Sequence, residues 1–86
     1  MYRLLFSPRA RRAFRGLSPQ DARRVKEALD RLQDNPRTRG VVALQDLRVA
    51  PYRYRVGDYR ILFDINDREQ TVLVLDIRRR SETTYR

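Results

Sequence analysis

The sequence predicts an α+β domain in which two N-terminal helices pack on one face of a mostly antiparallel four-stranded sheet. Three observations predict it. Two Ser-Pro pairs, Ser7-Pro8 and Ser18-Pro19, each precede apolar residues at helical spacing, and a serine hydroxyl followed by proline in the first turn is a helix start. Residues Tyr52 to Ile65 alternate in hydrophobicity about Gly57-Asp58, as the two arms of a β-hairpin do. Thr71 to Ile77 is an apolar run without alternation, which suits a strand in the middle of a sheet.

Taken in order, Tyr2 to Phe6 is a short apolar opening strand closed by Ser7-Pro8. Ala10, Ala13, Phe14 and Leu17 then recur at i, i+3, i+4 and i+7 with Arg9, Arg11, Arg12 and Arg15 between them, giving a short amphipathic helix that ends near Gly16. Ala22, Val25, Ala28, Leu29 and Leu32 continue at helical spacing until Asn35-Pro36 stops the run, so a second, longer helix forms a hairpin with the first. From Arg37 to Ala50 the pattern is irregular, with Gly40 as a breaker and Leu44 and Leu47 as anchors, and the segment reads as a loop leading into a strand. A two-residue loop at Gly57-Asp58, with glycine first as a type II′ turn requires, pairs Val56 with Tyr59, Arg55 with Arg60, Tyr54 with Ile61 and Arg53 with Leu62. Tyr52, Tyr54, Val56, Tyr59, Ile61 and Phe63 then share the side the helices cover, and Arg53, Arg55 and Arg60 share the other. Asn66 to Glu69 make the next turn.

With 86 residues the chain is a single domain, 1–86. A domain of this size buries roughly 60 to 65% of its unfolded surface, so any site lies on one face or in a shallow groove. The absence of cysteine and histidine excludes disulfides, thiolate catalysis, zinc fingers and two-histidine nuclease chemistry. Carboxylates are scattered without paired-acid spacing, and there is no glycine-rich phosphate loop, so neither a cofactor nor a metal is expected. Twenty Lys+Arg against eleven Asp+Glu give a net charge of +9, and Lys26 is the only lysine. Arginine at this density points to phosphate, carboxylate or RNA partners. No long apolar stretch suggests a signal peptide or membrane span, and a cytoplasmic protein with no membrane partner is expected.

Like charges directly opposite on a hairpin destabilise it by a few tenths to ~1 kcal/mol. Arg55 facing Arg60 therefore admits two readings: guanidiniums that splay into solvent or pair with Asp58 or Asp64, and guanidiniums that share a bound anion. The C-terminal Arg78-Arg79-Arg80-Ser81-Glu82-Thr83-Thr84-Tyr85-Arg86 is a second basic cluster ending in an aromatic ring. It reads either as a solubilising tail or, emerging beside the hairpin, as the other half of a groove for phosphates and a stacked base. Arg9, Arg11, Arg12, Arg15, Arg23 and Arg24 make a solvated helical face able to steer RNA.

The chain resembles the RelE/ParE superfamily of bacterial toxins from toxin-antitoxin modules. Tyr52-Arg53-Tyr54-Arg55-Val56-Gly57-Asp58-Tyr59-Arg60-Ile61-Leu62-Phe63 is similar to that family's hairpin, and Ile77 through Tyr85 to its closing arginine-to-tyrosine motif. In RelE-type members the resemblance implies metal-independent cleavage of mRNA in the ribosomal A site, by attack of a ribose 2′-hydroxyl on the adjacent phosphate. It implies catalytic roles for Arg60, Arg80 and Tyr85 and substrate binding by Arg53, Arg55 and Arg79, with Arg79 the alternative to Arg80 as the tail arginine. It also implies a cognate antitoxin, with operator DNA bound only through the toxin-antitoxin complex. Best-known RelE enzymes carry lysines where this chain has Arg53 and Arg55, and a guanidinium is a poor general base; groups of the substrate-bound ribosome or Glu82 are the alternatives for that role. The expected function is thus an mRNA interferase, against a ParE-like toxin that inhibits DNA gyrase by protein binding and a basic RNA-binding module without chemistry.

Overall fold

In the computed structural model, which describes residues 1–79, Ser7 caps helix α1 (Pro8–Arg15) and Ser18 caps helix α2 (Pro19–Asp34). Each serine hydroxyl accepts from the backbone N–H three residues on, Ala10 at 3.1 Å and Asp21 at 3.2 Å, which satisfies one of the orphan donors of the first turn. Pro36 follows the α2 cap residue Asn35 and cannot continue the helix. Ala10, Val25, Ala28, Leu29 and Leu32 are the buried stripe of the helical hairpin, and they rest on the sheet through Tyr54, Ile61, Phe63, Val72, Val74 and Ile77.

The sheet has five strands, β1 (Arg3–Phe6), β2 (Val41–Ala43), β3 (Tyr52–Val56), β4 (Tyr59–Asn66) and β5 (Thr71–Arg79), in the order β1-β5-β4-β3-β2. Only the β1–β5 pair is parallel. The four strands expected thus become five, because part of the irregular segment adds β2 to the hairpin's outer edge, with Val41 opposite Tyr54. Three residues are too few to show a period, and the glycine read as a breaker is what delivers the strand. Gly40 has φ +101°, and a Cβ there would sit 3.2 Å from the Tyr54 ring.

The β3–β4 register is the one the two-residue turn dictates, with Arg55 opposite Arg60 and Tyr54 opposite Ile61. Gly57 takes φ +55° while Asp58 stays negative, as a type II′ turn requires. Beneath the helices, Arg31 Nε donates to the Tyr54 hydroxyl at 2.9 Å, and its guanidinium lies 5.8 Å from that ring's centre.

Strand β5 contains a bulge. Leu62 pairs with Asp76 but Phe63 pairs with Val74, so Leu75 is the extra residue. Its carbonyl accepts from the Ser7 hydroxyl at 2.7 Å, and the Ser7 N–H donates to Val74 at 2.9 Å. Ser7 therefore caps α1 and closes the bulge with one side chain. The inserted residue reverses the alternation: Val72 and Val74 face the helices before it, and Ile77 faces them after it.

Away from the helices' packing face, Arg37 grips Asp67 through two hydrogen bonds of 3.0 and 2.9 Å, and the Tyr2 hydroxyl donates to the same carboxylate at 2.7 Å. The Arg37 and Tyr2 hydrogen bonds hold the Asp67 carboxyl down at about 2, and the Asp67 carboxylate in turn raises both the Tyr2 hydroxyl and Arg37. The clamp ties the first strand, the α2–β2 connection and the β4–β5 turn together. Among the described residues no helix is long and apolar enough to cross a membrane.

Candidate functional site

On the sheet face opposite the helices the registers bring three arginines abreast. Arg55 pairs with Arg60 across β3–β4, and Arg60 pairs with Arg78 across β4–β5. Side chains of paired residues emerge on the same side, so the guanidiniums of three strands form one row. The next row is Arg53, Leu62 and Asp76. Arg55 is exposed, whereas Arg53 and Arg60 are half-buried. Asp76 Oδ2 accepts from Arg78 Nε at 2.8 Å, and its other oxygen accepts from the Ile77 N–H at 2.8 Å. With the Asp76 side chain 13% exposed, this pair is shielded enough from solvent to fix the direction of Arg78.

The 44–50 loop crosses this face. Leu44, Gln45, Asp46 and Val49 close a pocket of about 220 Å³ over Arg53, Arg60 and Leu62. Arg53 Nε is buried there without a hydrogen-bond partner among the described residues. Asp46 is fixed by Arg48, whose guanidinium donates to both its oxygens at 3.0 and 3.2 Å and holds the carboxyl below the usual range. Past the loop, a wider groove of about 550 Å³ continues beside α1 and is lined by Arg9, Arg12, Arg48 and Arg78. The positive surface thus runs from the hairpin to the first helix, a track suited to a polyanion.

Of the residues expected at the site, Arg53, Arg55 and Arg60 come together. Arg79 pairs with Tyr59 and acts on that ring's hydroxyl through its charge, which puts it on the helix side, away from the row. The Tyr59 hydroxyl donates to Asp21 at 2.8 Å, and that bond raises its pKa. Arg80 and Tyr85 lie outside the described residues. The sequence reading missed Arg78 as a member of the row and Asp76 as its anchor. Their parity is set by the bulge, and the only signal was the loss of alternation between Thr71 and Ile77. Among the described residues no three acidic side chains gather as a metal site would need.

Residues 4–84 match the family described as the ParE toxin of the type II toxin-antitoxin system parDE. No curated protein matches the chain. Among solved structures, the toxin-antitoxin complex RelBE2 of Mycobacterium tuberculosis is similar at 31% identity and TM-score 0.79, covering 92% of this chain and 98% of the other. The RelE-RelB complex of Pyrococcus horikoshii OT3 is similar at 27% identity and TM-score 0.79, covering 95% and 98%. The Escherichia coli RelBE complex shares the fold at 22% identity and TM-score 0.79 over the full length of both chains. A match over residues 4–84, together with a structural relative at 31% identity over 92% of the chain, makes this chain a member of the ParE toxin family within the RelE/ParE superfamily of type II toxin-antitoxin modules.

Proposed function

We propose that this toxin is an endoribonuclease that cleaves mRNA on the ribosome without a metal and is held inactive by a cognate antitoxin. The row of Arg55, Arg60 and Arg78 on the sheet face opposite the helices carries the reading. A phosphodiester laid across the strands meets a guanidinium from each of three neighbouring strands, and charge-assisted hydrogen bonds of this kind are the strong ones. In the reaction the 2′-oxygen attacks the neighbouring phosphorus and the bond to the 5′-oxygen breaks. The products are a 2′,3′-cyclic phosphate and a 5′-hydroxyl, with one proton lost at the first oxygen and one gained at the second.

Arg60 stabilises the charge that builds on the phosphorane, and Arg53 and Arg55 hold the flanking phosphates. Arg80 and Tyr85 complete the set as the family resemblance implies. An arginine guanidinium keeps its proton throughout the physiological range and does not serve as the base. The isolated protein therefore binds RNA with a steep salt dependence and cuts it slowly, and the ribosome accelerates the step by bending the message until the 2′-hydroxyl lines up with the scissile phosphate. The same exposed charge suits an acidic or amphipathic antitoxin segment over the hairpin face, bound more weakly as salt rises.

The match to a family named for parDE favours a second reading, a protein that inhibits DNA gyrase by binding it. Purified toxin in a translating extract separates the two. Site-specific cuts in mRNA support the ribonuclease, and trapped gyrase-DNA complexes with intact message support the second reading.

A further inference from the structure

The pocket under the 44–50 loop borders the phosphate row and offers more than charge. Its walls are Leu44, Val49 and Leu62, with the exposed Gln45 and Asp46 on the loop side and Arg53 and Arg60 on the sheet side. Two demands meet inside it. The apolar walls call for a flat or aliphatic group, and the buried Nε of Arg53 calls for an acceptor, because a buried donor left unsatisfied is costly. A phosphate satisfies the second demand alone and leaves the apolar walls bare, while the Arg53 guanidinium has nitrogens besides Nε with which to hold a flanking phosphate at the pocket's rim. An aliphatic side chain satisfies only the first. A nucleobase offers apolar faces and acceptor atoms on its edge, and unpaired RNA bases are read in this way. At about 220 Å³ the pocket is smaller than the roughly 300 to 1,000 Å³ of sites for drug-sized ligands, so it takes a single ring system.

We infer that this pocket is a base-reading subsite: one unpaired base of the bound RNA inserts between Leu44, Val49 and Leu62, accepts from Arg53 and is sensed at its edge by the Gln45 amide, which sets the sequence preference of cleavage. The inference rests on the ribonuclease reading.

The test is to map the 5′ ends produced on ribosomes programmed with messages randomised around the cut, for the wild type, Leu44→Ala and Gln45→Ala. The wild type should prefer its best base over its worst at one position by about tenfold, the worth of one or two net hydrogen bonds. Both variants should flatten the preference at that position and leave preferences elsewhere in place. An unchanged preference in both variants, or a uniform loss of rate on every sequence, overturns the inference while the ribonuclease reading stands. No cleavage of any message by the wild type overturns both. Melting curves check folding; if Leu44→Ala unfolds, Gln45→Ala carries the test, since its side chain is exposed.

Discussion

Arg37 and Arg60 are the same residue used in opposite ways. Arg37 sits where three connections meet and donates twice to Asp67, which also accepts from Tyr2. Arg60 sits in the middle of the sheet between Arg55 and Arg78. At the clamp, charge is matched within the chain and joins distant segments. In the row, strand pairing sets three arginines side by side on one face, with Asp76 of the next row fixing Arg78. The difference teaches that the arginines of this protein divide by strand register, not by sequence neighbourhood.

The sharpest way to break this contrast is Arg60→Ala. It should lower the cleavage rate on programmed ribosomes by about 10² to 10³, the usual cost of losing one donor to a developing oxyanion. Thermal stability should hold or rise slightly, since a like-charge contact on each side is removed. A variant that melts far below the wild type would place Arg60 with Arg37 among the structural cations.

Tyr54→Ala sharpens the comparison from the other side of the same hairpin. The ring is 8% exposed and carries the Arg31 contacts, so its loss should cost ~2 to 4 kcal/mol in chemical denaturation. A cost well under 1 kcal/mol would mean that the helices do not rely on the hairpin's inner face. Ser7→Ala comes next, at ~1 to 2 kcal/mol, because it removes the α1 cap and the donor to the bulge carbonyl together. A further readout is the register: amide exchange should rise around Leu75 and Asp76 rather than at the α1 end alone.

These two substitutions mark what was legible in the sequence. Around Tyr54 it was the whole hairpin, because a two-residue turn with glycine first fixes every pair after it and period-two alternation then sorts the faces. Around Ser7 it was the helix start but not the second role, because nothing local records that a hydroxyl meets a carbonyl 68 positions away. The bulge at Leu75 lies in a run of apolar residues that reads the same with or without an inserted position. For that reason the tail arginines were assigned without β5 parity, to Arg80 with Arg79 as its alternative, and Arg78 was given no place beside Arg60. Strand β2 was hidden by its brevity, and its place depends on the close approach of Gly40 to Tyr54.

The smallest expected effect concerns the clamp itself. The Asp67 carboxyl is held down at about 2, below the usual carboxylate value of ~3.9, so its contribution to stability is complete above that ordinary value and is lost as pH falls through about 2. Melting temperature recorded from neutral to strongly acidic pH should show this loss in the wild type, and Asp67→Asn should remove it. High salt should weaken it as well, because the pair is open to solvent. An Asp67→Asn curve that overlays the wild type would show the clamp to be a contact without energetic weight.

The order of the strands has a consequence for biosynthesis. Strand β5, the last of the five to be made, lies between the first strand and the fourth, and its Val72, Val74 and Ile77 fill the centre of the core. A nascent chain that has emerged only as far as the β4–β5 turn holds β1 and the hairpin with no shared neighbour, and it lacks the strand that aligns Arg78 with Arg60. Closing the sheet therefore requires contacts of very long sequence separation, which form late and slowly. A chain interrupted before Thr71 carries most of the arginines but cannot assemble them, so translation itself withholds the weapon until the final strand is delivered.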